Sequence, residues 1–358
     1  MSRSPYNGIE RRAFWKIAVE KRIEVASSDI FRPKFPLTND MRIATAGSCF
    51  AQHVGRALRQ SGLSVIDAEP APPGTPENLA KDYGYSTYSA RYGNIYTVAH
   101  LLQIIKEATG RFTPAEPVWA LKDRFVDSQR PNVEPTGLET PEAVIWHRAR
   151  HLACIVKMMQ SCDMFVFTFG LTEAWLHTET QTVFSLAPGT LGGSFDPTVH
   201  SFKNYTTRTV VDDFREFMRL AQTLNPNMKF LITVSPIPLA ATASGTHVEI
   251  ATMRSKAVLR AACDELASDF ANVDYFPSYE IINSPRSKGQ FFAPNLRDVT
   301  PEGVQTVMTI LMRAYGFEDR MGATVLSEAP MPLTDDDTDA RCDEVLLNQF
   351  ADIGVAKA

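Results

Sequence analysis

Arg42-Ile-Ala-Thr-Ala-Gly-Ser-Cys-Phe-Ala-Gln-His53 is the stretch on which the reading of the fold turns. Its apolar run, residues 43 to 46, stops at Gly47-Ser48, and Phe50, Ala51, Val54, Ala57 and Leu58 then recur at helical spacing. That pattern predicts a strand, a tight turn and a helix. The turn residue of such a unit sits at the carboxyl edge of a sheet, facing the N-terminus of the helix, where unpaired backbone N–H groups receive negative charge. Gly47 permits a sharp turn because it carries no Cβ. Ser48 then has two readings: an ordinary N-cap of the helix, or an exposed hydroxyl at a site.

Working outward, Gly62 suits a C-terminal cap and Leu63-Ser-Val-Ile66 a second strand, so strand, helix and strand imply a parallel sheet. Cys162-Asp-Met-Phe-Val-Phe-Thr-Phe169 and Lys229-Phe-Leu-Ile-Thr-Val-Ser235 read as central strands buried on both faces, and residues 272 to 276 as the last strand. Helices are expected over residues 97 to 109, 141 to 159, 210 to 224, 248 to 266 and 304 to 315. Residues 110 to 138, with Pro114, Pro117, Pro131 and Pro135, read as an irregular insertion of the kind that covers a site. Residues 184 to 200 read as a loop or small hairpin.

Residues 1–40 read as an arm lying across the main domain, with a helix over residues 10 to 25 ended by Arg32-Pro-Lys-Phe-Pro36. Residues 41–317 form the α/β domain, and residues 318–358 a C-terminal extension. That extension is Pro-rich at 329–334 and acidic at 335–339, before a helix striped by Leu346, Leu347, Phe350 and Ile353.

The 358 residues, 44% of them hydrophobic, suffice for one sizeable core. A net charge of −5 without a basic block leaves no electrostatic footprint for nucleic acid. Residues 1 to 22 lack an apolar run of signal-peptide length, and no stretch approaches a membrane span. The five cysteines stand singly (Cys49, Cys154, Cys162, Cys263, Cys342), which argues for reduced thiols in a cytoplasm and against a zinc site or disulfide framework. His147 and His151 lie four apart on one helical face, but no third ligand or adjacent Glu completes a metal motif. No metal and no cofactor is expected, and the sequence leaves the oligomeric state open.

Gly47-Ser48-Cys49-Phe50-Ala51 resembles the signature of the GSCFA family, a bacterial group similar to the SGNH, or GDSL-type, hydrolases. Phe167-Thr-Phe-Gly-Leu-Thr-Glu-Ala-Trp175, the Pro188-Gly-Thr190 loop, Thr233-Val-Ser-Pro-Ile-Pro-Leu239 and Asp274-Tyr-Phe-Pro-Ser-Tyr-Glu280 are similar to that family's blocks in order, over roughly residues 40 to 315. The resemblance implies a three-layer α/β/α sandwich with a central parallel sheet of about five strands. It implies Ser48 as nucleophile, forming an acyl-enzyme on a carbohydrate O-acyl ester, acetyl foremost, for hydrolysis or transfer. The N–H groups of Ser48 and Gly93, with the side chain of Asn94 or Thr172, would then form the oxyanion hole. Gly93-Asn94 read alone is equally an ordinary turn.

In such hydrolases the block at residues 170 to 173 reads Gly-x-Asn-Asp, and here Thr172 and Glu173 stand at the Asn and Asp places. Glu173 has three readings: orienting an imidazole, holding a substrate hydroxyl, or capping the next helix. Trp175 would pack beneath the site or stack on a sugar ring, and His200 would face the site. The last block should read Asp-x-x-His, but Asn295-Leu-Arg-Asp298 occupies its place, and no histidine follows His247. An unassisted serine is a poor nucleophile. Three repairs stand open: His247 as base, oriented by Asp298 or Glu173; Asp298 as base itself; or a site that binds carbohydrate or a partner without cutting. His53 lies too far round the helix from Ser48, and Cys49 reads as a buried neighbour.

Overall fold

The structure, a computed structural model, describes residues 4–26, 29–317 and 343–351. The stretches 329–334 and 335–339, Cys342 and Ile353 lie outside the described residues. Four parallel strands make the central sheet: β1 (Ile43–Gly47), β4 (Met164–Phe169), β8 (Lys229–Val234) and β9 (Val273–Tyr275). They lie side by side in the order β1-β4-β8-β9. All residues of β1 and β4 are buried, as their unbroken apolar runs predict.

Successive side chains point to opposite faces of these strands, and the two faces fill separate cores. Ala44, Ala46, Phe165, Phe167, Phe169, Phe230, Ile232 and Val234 pack into one core. The helices α3 (Val98–Ala108), α4 (Pro141–Ser161), α5 (Thr207–Leu224) and α6 (Val248–Asp269) contribute Leu101, Ile155, Phe214 and Leu259 to it. Ile43, Met164, Val166 and Leu231 pack into the other, with Phe50, Val54 and Leu58 of α1 (Phe50–Gln60) and Val307 and Leu311 of α8 (Pro301–Ala314). This is an α/β/α sandwich. Two short helices, α2 (Glu77–Asp82) and α7 (Ser278–Ile282), complete the set among the described residues.

The strand expected at residues 63 to 66 shrinks to one parallel bridge, Ile43 to Val65. The next stretch of the β1 edge is taken by Ser89, whose Oγ accepts the Thr45 N–H (2.9 Å) and whose N–H donates to the Thr45 carbonyl (3.3 Å). The sheet therefore has four strands and a bridge where about five strands were expected. The proline-rich stretch 110 to 138 is more regular than its composition indicates. It carries an antiparallel hairpin of β2 (Val118–Leu121) and β3 (Arg124–Asp127). Three further strands, β5 (Glu173–His177), β6 (Val183–Phe184) and β7 (His200–Asn204), pair antiparallel in the order β6-β5-β7 beyond the carboxyl end of β4.

No α-helix forms over residues 10 to 25; only a 3-10 turn (Arg11–Ala13) and one π turn (Lys16–Glu20) do. Trp15 and Ile23 stay 64% and 86% exposed, so the helical spacing there has no core to bury. Val25, Phe31, Phe35 and Leu37 anchor the arm instead, in the core of α1 and α8. The Lys34 N–H also donates to Asp274 Oδ2 (2.7 Å), and its ammonium to the Val273 carbonyl (2.9 Å), along the edge strand β9. None of the described helices is long and apolar enough to cross a membrane.

Candidate active site

Gly47 ends β1 with φ +138°, and a Cβ there would lie 2.5 Å from the Thr168 carbonyl oxygen. Only glycine lets β1 close this tightly on β4. Ser48 follows, its N–H donating to that same carbonyl (3.2 Å). It does not cap α1: Cys49 stands at the N-cap without a side-chain capping hydrogen bond, and Ser48 Oγ is buried with no hydrogen-bond partner. Gly170 closes the other side, where a Cβ would come 2.8 Å from Ser48 Cβ and 3.0 Å from the Tyr96 carbonyl. Asn94 lies alongside. The Tyr88 hydroxyl touches both the Ser48 carbonyl (3.2 Å) and Asn94 Oδ1, and the Ile95 N–H donates to the Gly47 carbonyl (2.9 Å).

The other expected site residues divide into those near the serine and those used elsewhere. Ser48 N–H, expected in the oxyanion hole, is committed to Thr168, because β1 pairing runs one residue past the strand. Gly93, at φ +66°, makes room for Asn132, whose Oδ1 would be 2.7 Å from a Cβ placed there. Thr172 is fully buried; its hydroxyl donates to Asn204 Oδ1 (2.8 Å) and its N–H to Ser255 Oγ (3.1 Å), which ties it between β7 and α6. Glu173 accepts from the Thr242 hydroxyl (2.8 and 3.0 Å) and Asn204 Nδ2 (3.2 Å), and half-burial raises its carboxyl above the usual range.

His247 is exposed and caps α6, its Nδ1 accepting the Glu249 N–H (3.2 Å), so the structure does not bring it to Ser48. Asp298 is held in an Asx turn: Asn295 Oδ1 accepts the N–H groups of Arg297 and Asp298 (both 3.0 Å), and Asn295 Nδ2 donates to Asp298 Oδ2 (2.7 Å). His200 is buried, with Nδ1 accepting the Asp196 N–H (3.1 Å) and Nε2 3.1 Å from Glu116. Its ring stacks on Phe195 rather than facing the cavity described next. His151 Nδ1 pairs with Glu69 (2.6 Å) while His147 leans toward Glu134 (3.9 Å). Among the described residues no three His, Cys, Asp or Glu side chains converge as metal ligands.

A cavity of about 410 Å³ opens beside this centre, walled by Tyr96, Leu171, Glu173, Trp175, Phe184 and Phe202. Trp175 meets Phe195 and Phe202 edge-on, at 5.1 and 5.7 Å between ring centroids. His100 also lines the cavity, and sequence reasoning passed over it. It sits in the first turn of α3, where Thr97 Oγ1 accepts its N–H (3.3 Å). The residue is 1% exposed, and neither ring nitrogen has a hydrogen-bond partner. The signal available was a polar side chain, one of two with Gln103, in a helix otherwise apolar from Val98 to Ile105.

Burial, with the Arg148 charge, lowers the His100 imidazole to about 3. Its folded value lies below the unfolded one, so the unfolded chain takes the proton first as pH falls. Stability present above pH ~6.5 is therefore lost as pH falls toward about 3, with roughly 2 kcal/mol gone between pH 7 and 5. His100→Leu removes that share and relieves an unsatisfied buried group, raising stability at pH 7 by about 1–2 kcal/mol. Denaturant unfolding of both proteins at pH 7 and 5 measures the two effects.

The C-terminal 3-10 helix (Asp343–Phe350) closes over the same region. Glu344, Leu347 and Phe350 line the cavity, and Asp343 reaches Asn94 and Asn132.

Comparison with known proteins adds the following. The model of the GSCFA family matches residues 42–310. No curated protein matches the chain. One solved structure, a candidate GDSL-like lipase from Parabacteroides merdae ATCC 43184, is similar at 13% identity and a TM-score of 0.34, covering 80% of this chain and 100% of its own.

Proposed function

The chain belongs to the GSCFA family, and from that premise we propose that it is a binding protein on a hydrolase-like frame. It takes a small hydroxyl-bearing ligand, a carbohydrate ester foremost, into the cavity beside Ser48 and holds it without rapid turnover. The observation that carries this reading is His100. A neutral imidazole is one donor and one acceptor, and leaving both unused in a buried site costs about 1–3 kcal/mol. A ligand hydroxyl that reaches one ring nitrogen removes half of that deficit. The aromatic faces of Trp175 and Phe202 suit the apolar side of a sugar or an acyl group. Against turnover stand Asp298, held in its turn where the resemblance puts a histidine, and Ser48 Oγ, which has no acceptor to draw off its proton.

Titration of Trp fluorescence with an O-acetylated methyl glucoside tests the reading. Saturable quenching is expected, weakened roughly tenfold in His100→Leu. Equal affinity in the two proteins would sink it. A fluorophosphonate probe should label wild type no faster than Ser48→Ala.

A second reading keeps ester chemistry: a Ser48 acyl-enzyme in hydrolysis or transfer. Its support is Ser48 itself, a buried hydroxyl without a partner on a glycine turn, with Asn94 linked to its carbonyl through the Tyr88 hydroxyl. Probe labelling abolished in Ser48→Ala would favour it. The free cysteines among the described residues (Cys49, Cys154, Cys162 and Cys263) fit a reducing compartment, and we place the protein in the cytoplasm.

A further inference from the structure

We infer that Asn94 and Asn132 form a carboxylate-binding subsite next to Tyr96 of the cavity wall, specific for a monocarboxylate with an apolar body, and that the helix Asp343–Phe350 fills it as an intramolecular ligand. Asn94 Nδ2 donates to Asp343 Oδ2 (2.7 Å), and Asn132 Nδ2 to Asp343 Oδ1 (2.7 Å). Each carboxylate oxygen thus receives one amide proton, while the Asp343 N–H donates to the Tyr96 hydroxyl (3.1 Å). Hydrogen bonds to an ionised acceptor are about twice as strong as neutral ones.

The cradle owes its shape to the body of the protein, not to its occupant. Asn94 is buried, and its Oδ1 is held by the Tyr88 hydroxyl and by Gln52 Nε2 (3.4 Å). An amide with its oxygen so engaged presents its NH₂ on the other side, where Asp343 meets it, and so holds a donor in place before any anion arrives. Gly93 contributes by lacking a Cβ where Asn132 Oδ1 passes.

The occupant is amphiphilic. Its acidic end meets amides, and Glu344 pairs with Arg297 (3.0 Å). Four and seven residues after Asp343, Leu347 and Phe350 line the cavity, as Trp175 does. A free ligand matching the first contact and the last two carries a carboxylate followed by an apolar body. A short acid such as acetate matches the first alone. This inference rests on the cavity being a ligand site, but it is read at Asn132 and Asp343, whereas the function proposed above is read at His100.

Octanoate, acetate and 1-octanol are the probes, with hydrogen exchange of the segment 343–350 in the full chain as readout. Octanoate at millimolar concentration should speed exchange across the segment, while acetate should not. Asp343→Ala should speed it without ligand and tighten octanoate at least tenfold by calorimetry, because the competing segment no longer occupies the site. Asn132→Ala in the Asp343→Ala background should weaken octanoate at least fivefold and leave 1-octanol unchanged. Exchange indifferent to octanoate, a segment still protected in Asp343→Ala, or octanoate and octanol affected alike by Asn132→Ala would each overturn the inference. If His100→Leu leaves sugar-ester binding intact while these shifts appear, the subsite stands and the hydroxyl reading of the cavity falls.

Discussion

Arg148→Met should destabilise the protein by about 3–5 kcal/mol, lowering the midpoint of thermal unfolding on the order of 5–15 °C. Arg148 is buried on α4 and donates to Glu107 Oε1 (2.6 Å) and to both oxygens of Asp127 (2.9 and 3.0 Å). Arg130 supplies Asp127 with a second guanidinium (2.8 Å). Burial alone would raise the Asp127 carboxyl, but Arg148 and Arg130 beside it draw it down to about 2. Methionine fills much of the arginine's volume and leaves Glu107 and half of Asp127 without their cation, in a place where water does not replace it. The large effect comes from the charges left behind.

The consequence reaches the cavity. Asp127 ends β3, and the hairpin carries Trp119 against the cavity residue Phe184 at 5.1 Å between rings. Loosening β3 from α4 should therefore weaken ligand binding as well as stability. Restoring neutrality with Glu107→Gln in the Arg148→Met background should recover part of the loss. Calorimetry of the three proteins measures this, and an unchanged midpoint in Arg148→Met would show that the network contributes nothing.

The central sheet was legible because β1, β4 and β8 are buried on both faces, and continuous apolar runs betray such strands without any tertiary knowledge. Ser48 at the turn was legible for the same reason. The strand β5 was not, although Glu173-Ala-Trp-Leu-His177 alternates half-buried and buried residues as a surface strand should. Its resemblance to a loop block hid the period. His247 looked like a base because it follows β8 in sequence, yet the chain spends it as a helix cap, a role equally consistent with its place before α6. The arm misled through spacing alone: Phe14, Trp15 and Ile23 recur as a helix would, but Trp15 and Ile23 stay mostly exposed. Contacts such as Asn94 with Asp343, 249 residues apart, leave no local trace in either partner. A site assembled that way is visible only in three dimensions.

Gly47→Ala should destabilise by roughly 4 kcal/mol or more, the sum of two independent costs. A φ of +138° is a conformation that residues with a Cβ adopt only under strain, at about 1–3 kcal/mol. The added methyl would also lie 2.5 Å from the Thr168 carbonyl oxygen and 2.9 Å from its Cα, both backbone atoms of a strand buried on either face. They cannot swing aside as the end of a side chain would, so the pairing of β1 with β4 must open, at about 1–3 kcal/mol for overpacking. Gly170→Ala places its methyl 2.8 Å from Ser48 Cβ and 3.0 Å from the Tyr96 carbonyl, while φ there carries no strain of this kind. Its cost should be roughly half as large, and it should move Ser48 and Tyr96 directly, weakening ligand at the cavity mouth at a stability that still permits measurement. Chemical denaturation of both variants, with Trp titration of Gly170→Ala, separates strain from displacement. A Gly47→Ala protein as stable as wild type would mean that β1 does not close on β4 as described, and the position assigned to Ser48 would go with it.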